Sequence, residues 1–193
     1  MGIEFELKFR ITPEQQDEIW EMTEGAPARY EMQTIYYDTP EGALSDRWYT
    51  LRRRKENDLS VCTLKMPEVE GGRKELEIVC DSIEEAIPEL CKLAGVADLP
   101  QLLQNGVVPV CGAKFIRRAK TVTLQGATVE LALDRGVLTG GGKEIPLCEM
   151  EVELKDGRRE AMVMYATQLA IAFGLEQEKY SKFRRAQALA KGE

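Results

Sequence analysis

Residues 3–11 read Ile3-Glu4-Phe5-Glu6-Leu7-Lys8-Phe9-Arg10-Ile11, a strict alternation with five apolar side chains on one side and Glu4, Glu6, Lys8 and Arg10 on the other. Side chains that alternate with period 2 belong to a β-strand. Thr12, Pro13 and Gln15 follow as N-cap, first helical residue and capping-box partner, so a helix is expected to about residue 23, ended by Gly25 and Pro27. Further strands are expected at 31–38, 50–55, 60–66, 73–79, 112–124, 128–138 and 147–154. They are punctuated by turns at Gly71-Gly72, Gln125-Gly126 and Gly140-Gly141-Gly142. Helices are expected from Asp81 or Ser82 to Leu93 with an interruption at Pro88, over 100–104, over 158–173 with Gly174 closing it, and over 179–191. Eight strands in consecutive hairpins with a few helices give an α+β, mainly β fold, an antiparallel sheet curled or closed into a barrel.

Composition narrows the chemistry. The 193 residues form one domain's worth of chain, 44% hydrophobic and 31% charged, with 26 Lys and Arg against 33 Asp and Glu and a net charge of -7. No histidine is present, which excludes Ser-His-Asp and Cys-His catalysis and imidazole-ligated zinc. The five cysteines, Cys62, Cys80, Cys91, Cys111 and Cys148, form no CxxC pair and read as reduced thiols of a cytoplasmic protein. The N-terminus lacks a signal-peptide pattern, and no apolar run reaches the roughly 18 residues of a membrane span. The acidic balance argues against nucleic acid as the partner, and oligomeric state is not legible.

The charged faces are the informative feature. Arg52 and Arg54 flank Arg53; Arg73, Glu75 and Glu77 oppose Leu76 and Ile78; Glu130 and Asp134 alternate with Val129, Leu131 and Leu133; and Glu149, Glu151 and Glu153 alternate with Met150, Val152 and Leu154. On one strand this is a solvated outer face. Repeated on most strands, with like charges two residues apart repelling at about 7 Å, it suggests that the faces turn inward around cations and a polyanion. The apolar faces would then carry helices, with Trp20, Met22, Met162, Met164, Leu169 and Phe173 packing onto the outside. Buried charges need partners, so such an interior must be wet and must hold a highly charged ligand. Tyr36 and Tyr37 read as strand packing, and the triple glycine as a hairpin turn with no phosphate-loop sequence after it.

Several of these segments together resemble the CYTH family, the triphosphate tunnel metalloenzymes. Glu4-Phe5-Glu6-Leu7-Lys8 is similar to the family's ExExK, Tyr36-Tyr37-Asp38-Thr39-Pro40 to its second-strand ending, Leu51-Arg52-Arg53-Arg54 to its LRxR and Thr63-Leu64-Lys65 to its strand lysine. Arg73 with Glu75, Arg117, Glu130 with Asp134, Glu149 with Glu151, and Ser181-Lys182 fall in the family's order, although Phe183 stands where many members have tyrosine. The likeness covers the whole chain as a single CYTH domain, 1–193, and is nearest to the CYTH half of bacterial inorganic triphosphatases that carry a helical CHAD domain.

The resemblance implies an eight-stranded antiparallel closed barrel, a tunnel with helices outside it, that hydrolyses inorganic triphosphate with Mg²⁺ or Mn²⁺. Carried over residue by residue, Arg52, Arg54, Lys65, Arg73, Arg117, Lys182 and Arg185 would neutralise phosphate oxygens, with Lys8 beside them. Glu4, Glu6 and Lys8 would be catalytic, and Glu4, Glu6, Glu75, Glu130, Asp134, Glu149 and Glu151 would supply metal ligands. Phosphoryl transfer needs positioning and charge neutralisation more than a protein nucleophile, so the missing histidine is no obstacle. The same scaffold leaves open a thiamine- or nucleoside-triphosphatase, an adenylate cyclase, or a non-catalytic polyphosphate-binding module.

Overall fold

A computed structural model describes residues 2–67 and 73–193; the expected Gly71-Gly72 turn lies outside them. The opening alternation is split at Phe5 into β1 (Gly2–Glu4) and β2 (Glu6–Arg10). β3 (Ala26–Asp38), β4 (Thr50–Glu56), β5 (Leu59–Pro67), β6 (Arg73–Val79), β7 (Val108–Leu124), β8 (Ala127–Gly140), β9 (Lys143–Gly157) and the two-residue β10 (Glu176–Gln177) complete one antiparallel sheet among the described residues.

The hydrogen-bonded order is β1-β6-β5-β4-β3-β7-β8-β9-β2-β10. The expected closed eight-stranded barrel is therefore not formed: the sheet is open, with β1 at one edge and β10 at the other. The break at Phe5 is the cause, because Gly2–Glu4 pair with β6 while Glu6–Arg10 pair with β9, and no continuous ladder joins the edges. The sheet curls all the same, since one cavity is lined from every strand from β1 to β9.

Register sets which charges meet. Arg117 lies opposite Asp134, Asp134 opposite Glu149, Lys8 opposite Glu151 and Lys65 opposite Glu75. Two apolar clusters cover the convex face. One joins Leu51, Leu64 and Leu76 of the sheet to Ile83 and Leu90 of α3 (Ile83–Ala94). The other joins Phe9, Leu131 and Val152 to Ile19 of α1 (Pro13–Met22) and to Met162 and Ala166 of α5 (Arg159–Phe173). α1 starts with the expected capping box: Thr12 Oγ1 accepts from the Gln15 N–H at 3.2 Å, and the Gln15 side-chain Oε1 accepts from the Thr12 N–H at 2.8 Å.

Two local expectations change. α3 runs through Pro88, because its buried face of Ile83, Ala86, Leu90, Cys91 and Ala94 outweighs one lost backbone bond. Met22 and Met164, 69% and 60% exposed, lie off the core, on the outer sides of their helices. The triple glycine is a hairpin as expected, with Gly141 and Gly142 at φ 58° and 74°.

The short α2 (Ala43–Asp46) is held by Asp38, whose carboxylate accepts from the Thr39, Leu44 and Ser45 N–H groups at 2.8, 2.9 and 3.1 Å, so Tyr36–Pro40 is a structural corner. α4 (Leu99–Leu102) closes the first cluster. The last helix, α6 (Lys182–Lys191), packs on the cavity side, with Phe183 against Tyr36 at 5.1 Å between ring centroids. A methyl group on Gly140 would lie 2.4 Å from the Ala186 carbonyl oxygen, so glycine is what lets this helix seat. No helix among the described residues is long and apolar enough to cross a membrane.

Candidate active site

The concave face encloses a cavity of about 530 Å³. Ten Lys and Arg and eight Glu side chains line it, so it carries two excess positive charges inside a chain of net charge -7. Sheet alternation delivers them: 52 and 54 on β4, 73, 75 and 77 on β6, and 151, 153 and 155 on β9 all point inward. Arg53 points the other way and donates to the Asp81 carbonyl oxygen at 2.7 Å.

On the wall built from β1 and β4–β6, Lys65 Nζ lies 2.6 Å from Glu4 and 3.2 Å from Glu75. Arg52 contacts Glu75 at 3.1 Å, Arg54 pairs with Glu56, and Arg73 donates to the Trp48 and Lys65 carbonyl oxygens at 2.8 and 3.2 Å. Among the described residues, the buried Nε atoms of Arg52, Arg54 and Arg73 have no hydrogen-bond partner. Burial together with the neighbouring Arg52 pulls Arg54 below its ordinary value, and burial does the same to Arg73 against Glu4 and Glu6. Its four cations are matched in number by Glu4, Glu56, Glu75 and Glu77, so what this wall lacks is acceptors for its guanidinium N–H groups, not negative charge.

The opposite wall is built from β2, β7–β9 and α6. Arg117 forms a bidentate pair with Asp134 at 2.7 and 2.8 Å and also meets Glu151. Ser181 caps α6 by accepting from the Arg184 N–H at 3.2 Å, which aims Lys182 inward. Its ammonium sits 2.7 Å from Asp134 and 2.9 Å from Glu151, and also contacts Glu149. Burial would lower the Lys182 pKa, but Asp134, Glu151 and Glu149 raise it well above its ordinary value. Burial likewise would raise Glu151, yet Lys182, Arg117 and Lys8 hold its carboxyl well below the usual range, whereas burial wins at Glu149 and pushes it up.

Of the residues expected at the site, Glu4, Glu6, Lys8, Arg52, Arg54, Lys65, Arg73, Glu75, Arg117, Glu130, Glu151 and Lys182 line the cavity. Asp134, Glu149 and Arg185 lie outside the lining: the two acids are fully buried, and Arg185 bridges Glu149 to the buried Glu178 at 3.7 Å. Glu56 and Lys155 also line it, and their signal was present, since 52-54-56 and 149-151-153-155 continue the alternations already recognised. Trp48, Lys179 and Arg184 come from a loop and the α6 region and follow no period; the Arg184 guanidinium stacks 4.4 Å from the Trp48 ring centroid.

A divalent ion fits the donor set. One carboxylate oxygen each from Asp134, Glu149 and Glu151 lies within 4.8 Å of the others, and hard oxygen donors suit Mg²⁺ or Mn²⁺. Lys182, Arg117 and Arg185 now neutralise these acids, so an ion there must arrive with an anion that draws the cations away.

The CYTH domain family matches residues 2–186. An inorganic triphosphatase from Haemophilus influenzae is 29% identical over 152 residues, 78% of this chain and 43% of that protein, so the chain spans less than half of that relative's length. A protein from Pyrococcus horikoshii superposes with a TM-score of 0.63 at 21% identity, covering 98% of this chain and 99% of its own. A putative adenylyl cyclase from Hippeastrum, described as having a dominant triphosphatase activity, gives 0.63 at 18% identity over 100% and 96%. These two likenesses show the fold; the match over nearly the whole sequence shows that the chain belongs to the CYTH domain family.

Proposed function

We propose that this chain is a divalent-metal-dependent triphosphatase that hydrolyses inorganic tripolyphosphate to pyrophosphate and phosphate. The observation that carries the reading is one cavity with three buried guanidinium Nε atoms on one wall that have no hydrogen-bond partner among the described residues, and with the Asp134, Glu149 and Glu151 carboxylates clustered at and behind the other. A pentavalent linear anion satisfies both, because its oxygens accept from the guanidiniums and its charge balances a metal beside the acids.

Arg52, Arg54, Lys65, Arg73, Arg117 and Lys182 bind and orient the phosphate chain. Glu4 and Glu6 face the same space and orient the attacking water, with Lys8 holding Glu6 in place through their ion pair. Glu151, with Asp134 and Glu149 behind it, is the core of the metal site, and Glu75 and Glu130 are further ligands within the lining. When bound, Mg²⁺ or Mn²⁺ supplies Lewis-acid neutralisation of phosphate oxygens. Water breaks one P–O–P bridge, its oxygen joins the terminal phosphorus and pyrophosphate leaves. We place this chemistry in the cytoplasm, which suits the five free thiols.

The test is phosphate release across tripolyphosphate, ATP and thiamine triphosphate with Mg²⁺ or Mn²⁺. The expected result is fastest turnover of tripolyphosphate, with equal pyrophosphate and phosphate and loss of activity in chelator. Faster turnover of an organic triphosphate would reassign the substrate, and no release from any of the three would sink the enzyme reading.

A further inference from the structure

Two of the five thiols share one acceptor. Cys62 Sγ lies 3.4 Å from the Cys80 carbonyl oxygen and 3.6 Å from the Ser82 carbonyl oxygen, and Cys80 Sγ lies 3.2 Å from that same Ser82 oxygen. Register explains the meeting. Cys62 lies opposite Ile78 and Cys80 follows two places on, so alternation turns both thiols to the convex face, away from the cavity. Burial, and then the adjoining Cys80 thiol, push Cys62 up to about 11. Among the described residues, Cys91, Cys111 and Cys148 have no second thiol among their hydrogen-bond contacts.

The pair is asymmetric. Cys62 is 0% exposed, whereas Cys80 is half-buried and open to small solutes. Cys80 also stands two residues before Ser82, the N-cap of the 12-residue α3, where the helix dipole favours a thiolate. Arg53, which the cavity does not use, brings its guanidinium to the same corner by donating to the Asp81 carbonyl oxygen. The Glu85 carboxylate, 4.0 Å from Cys80 Sγ, can accept the thiol proton. A half-exposed thiol beside a cation and a helix N-terminus, with a second thiol against it, is the arrangement in which oxidation ends in a disulfide.

We propose that Cys80 and Cys62 form a peroxide-oxidisable dithiol site, with Cys80 the thiol attacked and Cys62 the thiol that resolves it. The Cys80 thiolate attacks one oxygen of hydrogen peroxide, the O–O bond breaks, and the departing hydroxide takes a proton and leaves as water. Cys80 is then a sulfenic acid. The Cys62 sulfur attacks the Cys80 sulfur, the S–O bond breaks, and the Cys62 proton leaves with the hydroxide as a second water. Two thiols and one peroxide thus give one disulfide and two waters. A thiol reductant reverses the change. The bridge ties β5 to the start of α3, behind the wall that carries Arg52, Lys65 and Glu75.

The full chain, reduced and then treated with a modest excess of hydrogen peroxide, is alkylated, digested with trypsin and read by mass spectrometry. The intact chain should lose two hydrogens, about 2 Da, and regain them in dithiothreitol. Peptides 56–65 and 75–92 should be found linked through Cys62 and Cys80, with Cys91 in the second peptide still alkylated. Cys62→Ala should form no bridge and carry Cys80 on to the sulfinic acid. Cys80→Ala, a change at the half-buried position, should leave Cys62 reduced under the same treatment. Five thiols that all still alkylate after peroxide has consumed free cysteine in the same tube would overturn the proposal. So would a bridge through any other pair, a disulfide between two chains, or oxidation of Cys62 in the Cys80→Ala variant.

Discussion

Glu4→Gln and Glu6→Gln should each lower tripolyphosphate turnover by about 10² to 10³ at saturating Mg²⁺, the cost of about 2.7 to 4 kcal/mol in transition-state electrostatics. Both side chains line the cavity and flank Phe5, whose outward ring anchors the strand in the apolar cluster of α1 and α5. Glutamine keeps the shape and removes the charge that the proposed mechanism needs beside the ion and the water. Each acid is now paired with a lysine, Glu4 with Lys65 at 2.6 Å and Glu6 with Lys8, and each lysine keeps a second acid when the first is neutralised, Lys65 with Glu75 at 3.2 Å and Lys8 opposite Glu151. The melting temperature should therefore move far less than the rate. Phosphate-release kinetics beside a thermal melt separate the two effects, and a variant that kept most of its turnover would remove the first strand from the catalytic assignment.

Lys182→Met should do the opposite and act first on stability. Lys182 is buried among Asp134, Glu149 and Glu151, and methionine fills a similar volume without the charge, leaving three buried acids to Arg117 and Arg185. Removing one member of a buried ionic network costs about 3 to 5 kcal/mol, or roughly 6 to 20 °C for a domain of this size. The pH dependence follows from sign. In the native protein Glu151 is held below its unfolded value, so its contribution is present above that value and lost as pH falls through the folded one. Without Lys182, burial dominates and the folded pKa rises above the unfolded one, so stability is lost instead as pH rises. The gap between native and variant melting temperatures should narrow from pH 8 to pH 5, as followed by circular dichroism. An equal gap at both values would mean that Lys182 acts by packing alone.

Alternation carried most of what could be read from the sequence, because period 2 fixes the face each side chain takes. It placed Arg52 and Arg54 inside and Arg53 outside, and it assigned Glu75, Glu130 and Glu151 to the cavity. Alternation says nothing about which strand lies on either side. The division of the first strand at Phe5 between β6 and β9 was therefore invisible, and the barrel expectation failed there. Depth was equally hidden: Asp134 and Glu149 share a face with cavity residues, but α6 sits over them and carries Lys182 and Arg185 onto their carboxylates. Met164 shows the limit of apolar spacing, since in a helix apolar on most sides the pattern cannot choose the buried side.

The most direct test of the claim that the concave cavity is the triphosphate site is a thermal melt of the Glu6→Gln variant with Mg²⁺, in which substrate persists. Tripolyphosphate at about 100 times its dissociation constant should add about 2.7 kcal/mol, and so raise the midpoint by roughly 5 to 11 °C. Sulfate at equal ionic strength should raise it much less, because it cannot reach from Arg73 to Lys182 across the cavity. Equal small shifts from the two anions would contradict the account, since the charged faces would then not act as one site.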